Sequence, residues 1–164
     1  MKKKITFASI AAVAVAGYIG LIALSSAHGT DQALSSERQT AGPSKSITIW
    51  RDPGCGCCDT YADYLEERGY EVDRVDDRNF VTRSIEAGVP KEGIGCHLAQ
   101  IAGYYVSGLV PADIIERLVT DRPAIDGIAL PGMPANAPGM ALEKTGILKT
   151  YAFGEGGVSV YSNE

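Results

Sequence analysis

The sequence predicts an α/β sandwich built on a small mixed sheet, preceded by an N-terminal hydrophobic helix. Three observations carry this. From Ile47 onward, short β-branched or aromatic runs alternate with stretches of helical apolar spacing. Glycine or proline stands at most of the changes between the two periods. Ahead of them, Ile5 to Leu24 runs without a charge.

The N-terminal elements come first. Lys2, Lys3 and Lys4 precede the apolar run, and Ser25-Ser26-Ala27 follows it with the small residues of a cleavage site. Residues 1–27 therefore read as a secretory signal or, being long enough to span a bilayer, as a retained anchor. Both readings place the rest of the chain on the far side of the membrane from the lysines, most simply in a bacterial periplasm. Residues 28–46 are rich in Ser, Gly, Thr and Gln and read as a flexible linker. Residues 47–164 form the folded domain, and only the N-terminal segment is suited to touch a membrane.

Within the domain, Ile47 to Trp50 is a first strand, broken by Asp52-Pro53-Gly54. Asp59 to Arg68 places Tyr61, Tyr64 and Leu65 on one helical stripe, stopped by Gly69. Tyr70 to Val75 alternates as a second strand. Arg78 to Ala87 is a helix ended by Gly88 and Pro90, and Leu98 to Val106 reads as one apolar strand. Pro111 opens a helix over Ala112 to Thr120. Ile128 to Leu130 is a short strand. Tyr151 to Phe153 and Val158 to Tyr161 form a hairpin around a glycine-rich turn. A strand, a short turn, a helix and a returning strand make a βαβ unit.

Charge narrows the partners. The chain has 15 Lys+Arg against 20 Asp+Glu and a net charge of −5. Without Lys2 to Lys4 the body carries −8, which suits neither nucleic acid nor an anionic membrane surface. There is no Ser/His/Asp set, no phosphate-binding glycine loop and no carboxylate pair at helical spacing. A thiol or copper redox activity is the one enzymatic chemistry the sequence leaves open.

The chemistry lies in the cysteines. Cys55, Cys57 and Cys58 fall within four residues, between the first strand and the first helix, where helix N–H groups favour thiolate. Cys96 is followed by His97, the one histidine of the folded body, in a loop before the apolar strand. If both loops lie at one end of the sheet, up to four thiolates and an imidazole converge. Thiolates select Cu(I), zinc or iron–sulfur clusters, and the spacing matches no common ferredoxin pattern. Zinc accepts a Cys₄ or Cys₃His set. Copper accepts two to four thiolates, with sulfurs bridging several ions. A Cys55–Cys58 disulfide with thiol exchange is the metal-free alternative, and two structural disulfides are a further one.

Pro131 to Met140 holds Met133 and Met140 among prolines and glycines. Loop thioethers suit Cu(I), although Met133 could equally fill a gap in a rigid lid. His28 is a linker residue that could chelate Cu(II) only at a cleaved N-terminus. Asp73, Asp76 and Asp77 read as a solvated acidic loop, and Trp50 as a core residue or a neighbour of the sulfurs.

Taken together, Ile47-Thr48-Ile49-Trp50 with Asp52-Pro53 and Cys55-Gly56-Cys57-Cys58, Gly95-Cys96-His97, Gly103-Tyr104-Tyr105-Val106, Gly132-Met133-Pro134 and Pro138-Gly139-Met140 resemble the CopG-like copper-resistance proteins, small exported bacterial proteins. The resemblance spans Ile47 to about Tyr161. It implies a thioredoxin-like fold, a periplasmic location, and copper bound at the cysteine cluster with redox change. Cys55, Cys57, Cys58 and Cys96 match the family's cysteines and His97 its adjacent histidine. The sequence departs at Leu109, where the family commonly has histidine, and at Leu98, where threonine is frequent. A site without that histidine is more sulfur-dominated and favours Cu(I). The reading is thus an exported copper-binding protein of copper tolerance, dealing with copper ions and a periplasmic copper donor or acceptor protein. A thiol–disulfide oxidoreductase using Cys55 and Cys58, or a structural zinc module, is the alternative.

Overall fold

A computed structural model describes residues 45–141 and 146–164 of the 164-residue chain. The N-terminal hydrophobic segment and nearly all of the linker lie outside the described residues. Among the described residues no helix is long and apolar enough to cross a membrane.

Among the described residues the architecture is mixed α/β: three helices on one seven-stranded sheet. The elements are β1 (Ser46–Arg51), α1 (Gly56–Glu66), β2 (Glu71–Asp76), α2 (Phe80–Glu86), β3 (His97–Ile101), β4 (Tyr104–Ser107), α3 (Ala112–Asp121), β5 (Gly127–Ala129), β6 (Lys149–Phe153) and β7 (Ser159–Asn163). Their order across the sheet is β2-β1-β3-β4-β5-β6-β7. β1 runs parallel to β2 with Ile49 opposite Arg74, and β4 runs parallel to β5. The other neighbours are antiparallel.

Two expectations need correcting. The apolar run from Leu98 to Val106 is a hairpin, β3 and β4, and not one strand. Ala102 and Gly103 both take positive φ, 50° and 92°, which makes the two-residue turn whose twist matches the flanking strands. Its tip carries no polar residue, so the hydrophobic pattern runs through without a break. The first helix begins at Gly56 and not at Asp59. The carbonyl of Cys55 accepts N–H bonds from both Cys58 and Asp59, which winds the cysteine run into the first turn.

Alternation along the strands sends two sets of side chains to opposite faces. Ile47, Ile49, Ala99, Ile101, Val106 and Ile128 join the main core, with Tyr61, Ala62 and Leu65 of α1 and Ile114, Ile115 and Leu118 of α3. The spacing of the α3 residues is the single apolar stripe expected of a helix lying on a sheet. On the other face Leu98, Ala129 and Phe153 cluster with Val89, and the half-buried Trp50 packs against them. The main core positions the chemistry: it seats α1 so that its N-terminus meets the loop entering β3.

Candidate metal centre

Three of the four cysteines are fixed by how α1 starts. The N–H of Cys55 donates to the Asp52 carbonyl at 3.1 Å, closing a turn through Gly54 at φ 83°. Arg51 braces the turn from the side. Its guanidinium lies 3.0 Å from the Asp59 carboxylate and 2.7 Å from that of Asp76, and it also reaches the Asp52 carbonyl at 3.3 Å. Cys55 then caps α1, and Cys57 and Cys58 occupy its first turn, beside N–H groups that a helix leaves without intrahelical partners.

Cys96 arrives from the other side on a loop with no spare room. A methyl group on Gly95 would sit 2.3 Å from the Gly108 Cα, so the two backbones touch only because residue 95 is glycine. The Gly95 N–H donates to Ser107 Oγ at 3.0 Å, and the Gly108 N–H to the His97 carbonyl at 3.2 Å. This lacing locks the residue before Cys96 to the end of β4.

The result is one cluster. The sulfurs of Cys55, Cys57, Cys58 and Cys96 all lie within 4.8 Å of one another. Cys55 and Cys58 are joined in a disulfide, while Cys57 and Cys96 are free thiols. Cys57 Sγ lies 3.5 Å from Cys55 Sγ, and Cys58 Sγ lies 3.4 Å from the Cys96 carbonyl oxygen. Met133 brings its thioether sulfur to 4.0 Å from Cys57 Sγ while remaining 57% exposed. It therefore fills no gap in the core; it stands over the cluster from the solvent side. Burial, reinforced by the neighbouring Cys57, pushes the Cys96 thiol up to about 12.

His97 stands behind this group and is not part of it. Its ring is fully buried, with Nδ1 3.4 Å from Cys96 Sγ, no partner at Nε2 among the described residues, and the Tyr61 ring 4.9 Å away. Burial pulls its pKa down to about 3, so the imidazole is neutral. Leu109 is buried in the main core. Met140 is 44% exposed in the Met133 loop. That loop turns on itself through N–H bonds from Met140 and Ala141 to the Ala137 carbonyl. Trp50 carries the Arg83 guanidinium over its ring at 4.8 Å. Asp76 and Asp77 are spent in ion pairs with Arg51 and Arg83, and Asp73 is exposed. His28 lies outside the described residues.

The sequence reading missed the supports. Tyr61 was legible only as a helix-stripe residue, yet its hydroxyl donates to the Val110 carbonyl at 2.6 Å and its ring packs on His97. Gly139 packs so closely on α1 that a Cβ there would lie 2.6 Å from the Cys57 carbonyl oxygen. Its one sequence signal was the dipeptide Pro138-Gly139.

Two solved structures of copper resistance protein CopG, forms 1 and 2, match this fold with a TM-score of 0.66 at 31% sequence identity. The match covers 73% of this chain and 96–97% of those chains. The chain belongs to the CopG copper-resistance family. Within this CopG-type chain, residues 94–140 also match a family described as a protein of unknown function, DUF411. That segment runs from just before Cys96 to Met140, so it holds one cysteine and both loop methionines and leaves out Cys55, Cys57 and Cys58. No curated protein matches the chain.

Proposed function

We propose that this CopG-family protein holds copper, chiefly as Cu(I), through the thiolates of Cys55, Cys57, Cys58 and Cys96, with Met133 as an outer soft ligand. The observation that carries the reading is the gathering of four sulfurs within 4.8 Å. Metal–sulfur bonds of about 2.3 Å leave two sulfurs on one ion no more than about 4.6 Å apart, and the cluster is already close to that limit. The donor set is all sulfur, which selects Cu(I) over harder ions. His97, buried behind Cys96, orients that ligand in the manner of a supporting residue. Copper is cargo in this reading: it is sequestered or handed between a periplasmic donor and an acceptor, with a change of oxidation state open to it. The apolar segment Ile5–Leu24 supports export, either as a cleaved signal or as an inner-membrane tether. We read the β1-α1-β2 unit, the β3-β4 hairpin and α3 as a thioredoxin-like arrangement.

The deciding experiment is anaerobic titration of the fully reduced protein with Cu(I), read by X-ray absorption. Sulfur neighbours should dominate the copper shell, and Cys96→Ser should remove one of them and weaken binding at least tenfold. A shell of mostly nitrogen and oxygen would overturn the proposal. Full occupancy by zinc in protein from copper-fed cells would favour a structural zinc module.

A second reading rests on a separate observation. Cys55 and Cys58 form a C-x-x-C disulfide at a helix N-terminus, the arrangement used for dithiol exchange. Reduction of a disulfide substrate that survives Cys57→Ser and Cys96→Ser together would favour it.

A further inference from the structure

The cluster divides its sulfurs into two pairs. Cys55 and Cys58 are bonded; Cys57 and Cys96 are free, both half-buried, and their sulfurs lie within 4.8 Å of each other. They come from different elements, the first turn of α1 and the loop entering β3. No other free cysteine exists among the described residues to compete for either. A disulfide needs its sulfurs at about 2.05 Å, so the two thiols must close the remaining gap by turning about their Cα–Cβ bonds. Cys57 is the more open partner, with its sulfur beside the exposed Met133. Cys96 has its sulfur 3.4 Å from His97 Nδ1 and its carbonyl oxygen 3.4 Å from Cys58 Sγ.

From this pairing we propose that Cys57 and Cys96 form a second, regulatory disulfide, so that the cluster has a fully oxidised state, Cys55–Cys58 plus Cys57–Cys96, which is closed to metal. The closing of the metal site rests on the copper reading above; formation of the bond does not. The oxidant is a hydroperoxide. The Cys57 sulfur attacks the peroxide oxygen while its thiol proton goes to the departing oxygen, the O–O bond breaks, and Cys57 sulfenic acid forms with release of the alcohol, or of water from hydrogen peroxide. The Cys96 sulfur then attacks the Cys57 sulfur. The S–O bond breaks, water leaves with the thiol proton, and the S–S bond forms. Two electrons pass from the two thiols to the peroxide. With the Cys55–Cys58 pair, four electrons separate the fully reduced cluster from the fully oxidised one. Full oxidation ties up every thiolate and cross-links α1 to the entry of β3. Two molecules of an external dithiol restore four thiolates, so metal uptake follows the redox state of the compartment.

The test uses the full chain, metal-free, with the Cys55–Cys58 bond intact. N-ethylmaleimide should label two thiols before treatment and none after one equivalent of hydrogen peroxide, with a loss of two hydrogen atoms in intact mass. Tandem mass spectrometry should place the new bond between Cys57 and Cys96. In Cys96→Ser the same treatment should leave a dimedone-reactive sulfenic acid on Cys57. In Cys57→Ser one thiol should remain labelled. A wild-type protein that keeps both labels, gains oxygen atoms without bonding, or cross-links between molecules would overturn the proposal. Uptake of Cu(I) from a bicinchoninate complex, by reduced and by doubly oxidised protein, separates the two claims. Binding by the reduced form alone supports gating, and binding by both overturns it. Binding by neither rejects the copper reading, and the mass and labelling results then decide the second disulfide by themselves.

Discussion

His97 shows how one buried side chain couples the site to the stability of the fold. Its imidazole is held neutral down to about pH 3 because burial penalises the cation. In the unfolded chain it titrates near 6.5. Above that value neither state is protonated and the residue adds no slope. As pH falls below it, the unfolded chain takes up a proton that the fold refuses, and stability drops by up to about 1.4 kcal/mol per pH unit. Urea unfolding of the metal-free protein at pH 7 and pH 5 should therefore show an excess loss of about 2 kcal/mol over His97→Gln. Equal losses in both proteins would mean the imidazole is not shielded. Cys57, Cys58 and Cys96 were legible as site residues because thiols are rare and these are bunched. Tyr61 and Leu109 were not, because their roles depend on what lies across the core. Leu109 is buried in the main core together with Val110 and Ile114.

At the scale of elements, the loop from Pro131 to Ala141 is held to α1 by contact and not by a ladder of hydrogen bonds. Gly139 has φ 85°, and an added Cβ would meet both the Cys57 carbonyl and Tyr61 Cβ at under 3 Å. Gly132 has a similar φ of 68° with open space around it. The two form a matched pair. Gly132→Ala should cost only the left-handed strain of about 1–2 kcal/mol. Gly139→Ala should add a packing penalty of about 1–3 kcal/mol to the same strain. Chemical denaturation of the two variants checks this, and equal costs would show that the loop does not bear on α1. Most elements could be read from periodicity, including the parallel β1-α1-β2 unit and the C-terminal hairpin. The β3-β4 hairpin could not. Its Ala102-Gly103 tip lacks the asparagine or aspartate that normally marks such a turn, and apolar side chains flank it on both sides.

For the whole molecule, the question is whether the fold survives opening of its disulfide, since the copper reading requires the reduced form. The Cys55–Cys58 loop is short, with a sequence separation of 3. Loop-closure entropy for a ring of that size is worth about 2 kcal/mol. The buried residues of the main core come mainly from α1, α3 and four strands, β1, β3, β4 and β5, and include neither Cys55 nor Cys58. Reduction should therefore lower the thermal midpoint by roughly 5–10 °C and leave one cooperative transition. Cu(I) at about a hundredfold excess over its Kd should then restore about 2.7 kcal/mol by mass action. Loss of cooperativity on reduction would mean the sulfurs are structural first. That the two cysteine loops meet at one end of the sheet was an expectation conditional on layout. Strand order decided it, because β3 inserts beside β1 and brings Cys96 to the helix that β1 feeds.

The same topology sets a clock on biosynthesis. Cys58 and Cys96 are 38 positions apart in the chain, and Cys57 and Met133 are 76 apart. A growing polypeptide displays three thiols early but owns no complete binding pocket until β3 has been made and laid against β1. On the copper reading, ion capture therefore waits until the chain has grown past β3, and a shorter one offers a visiting metal only a loose, unshielded grip.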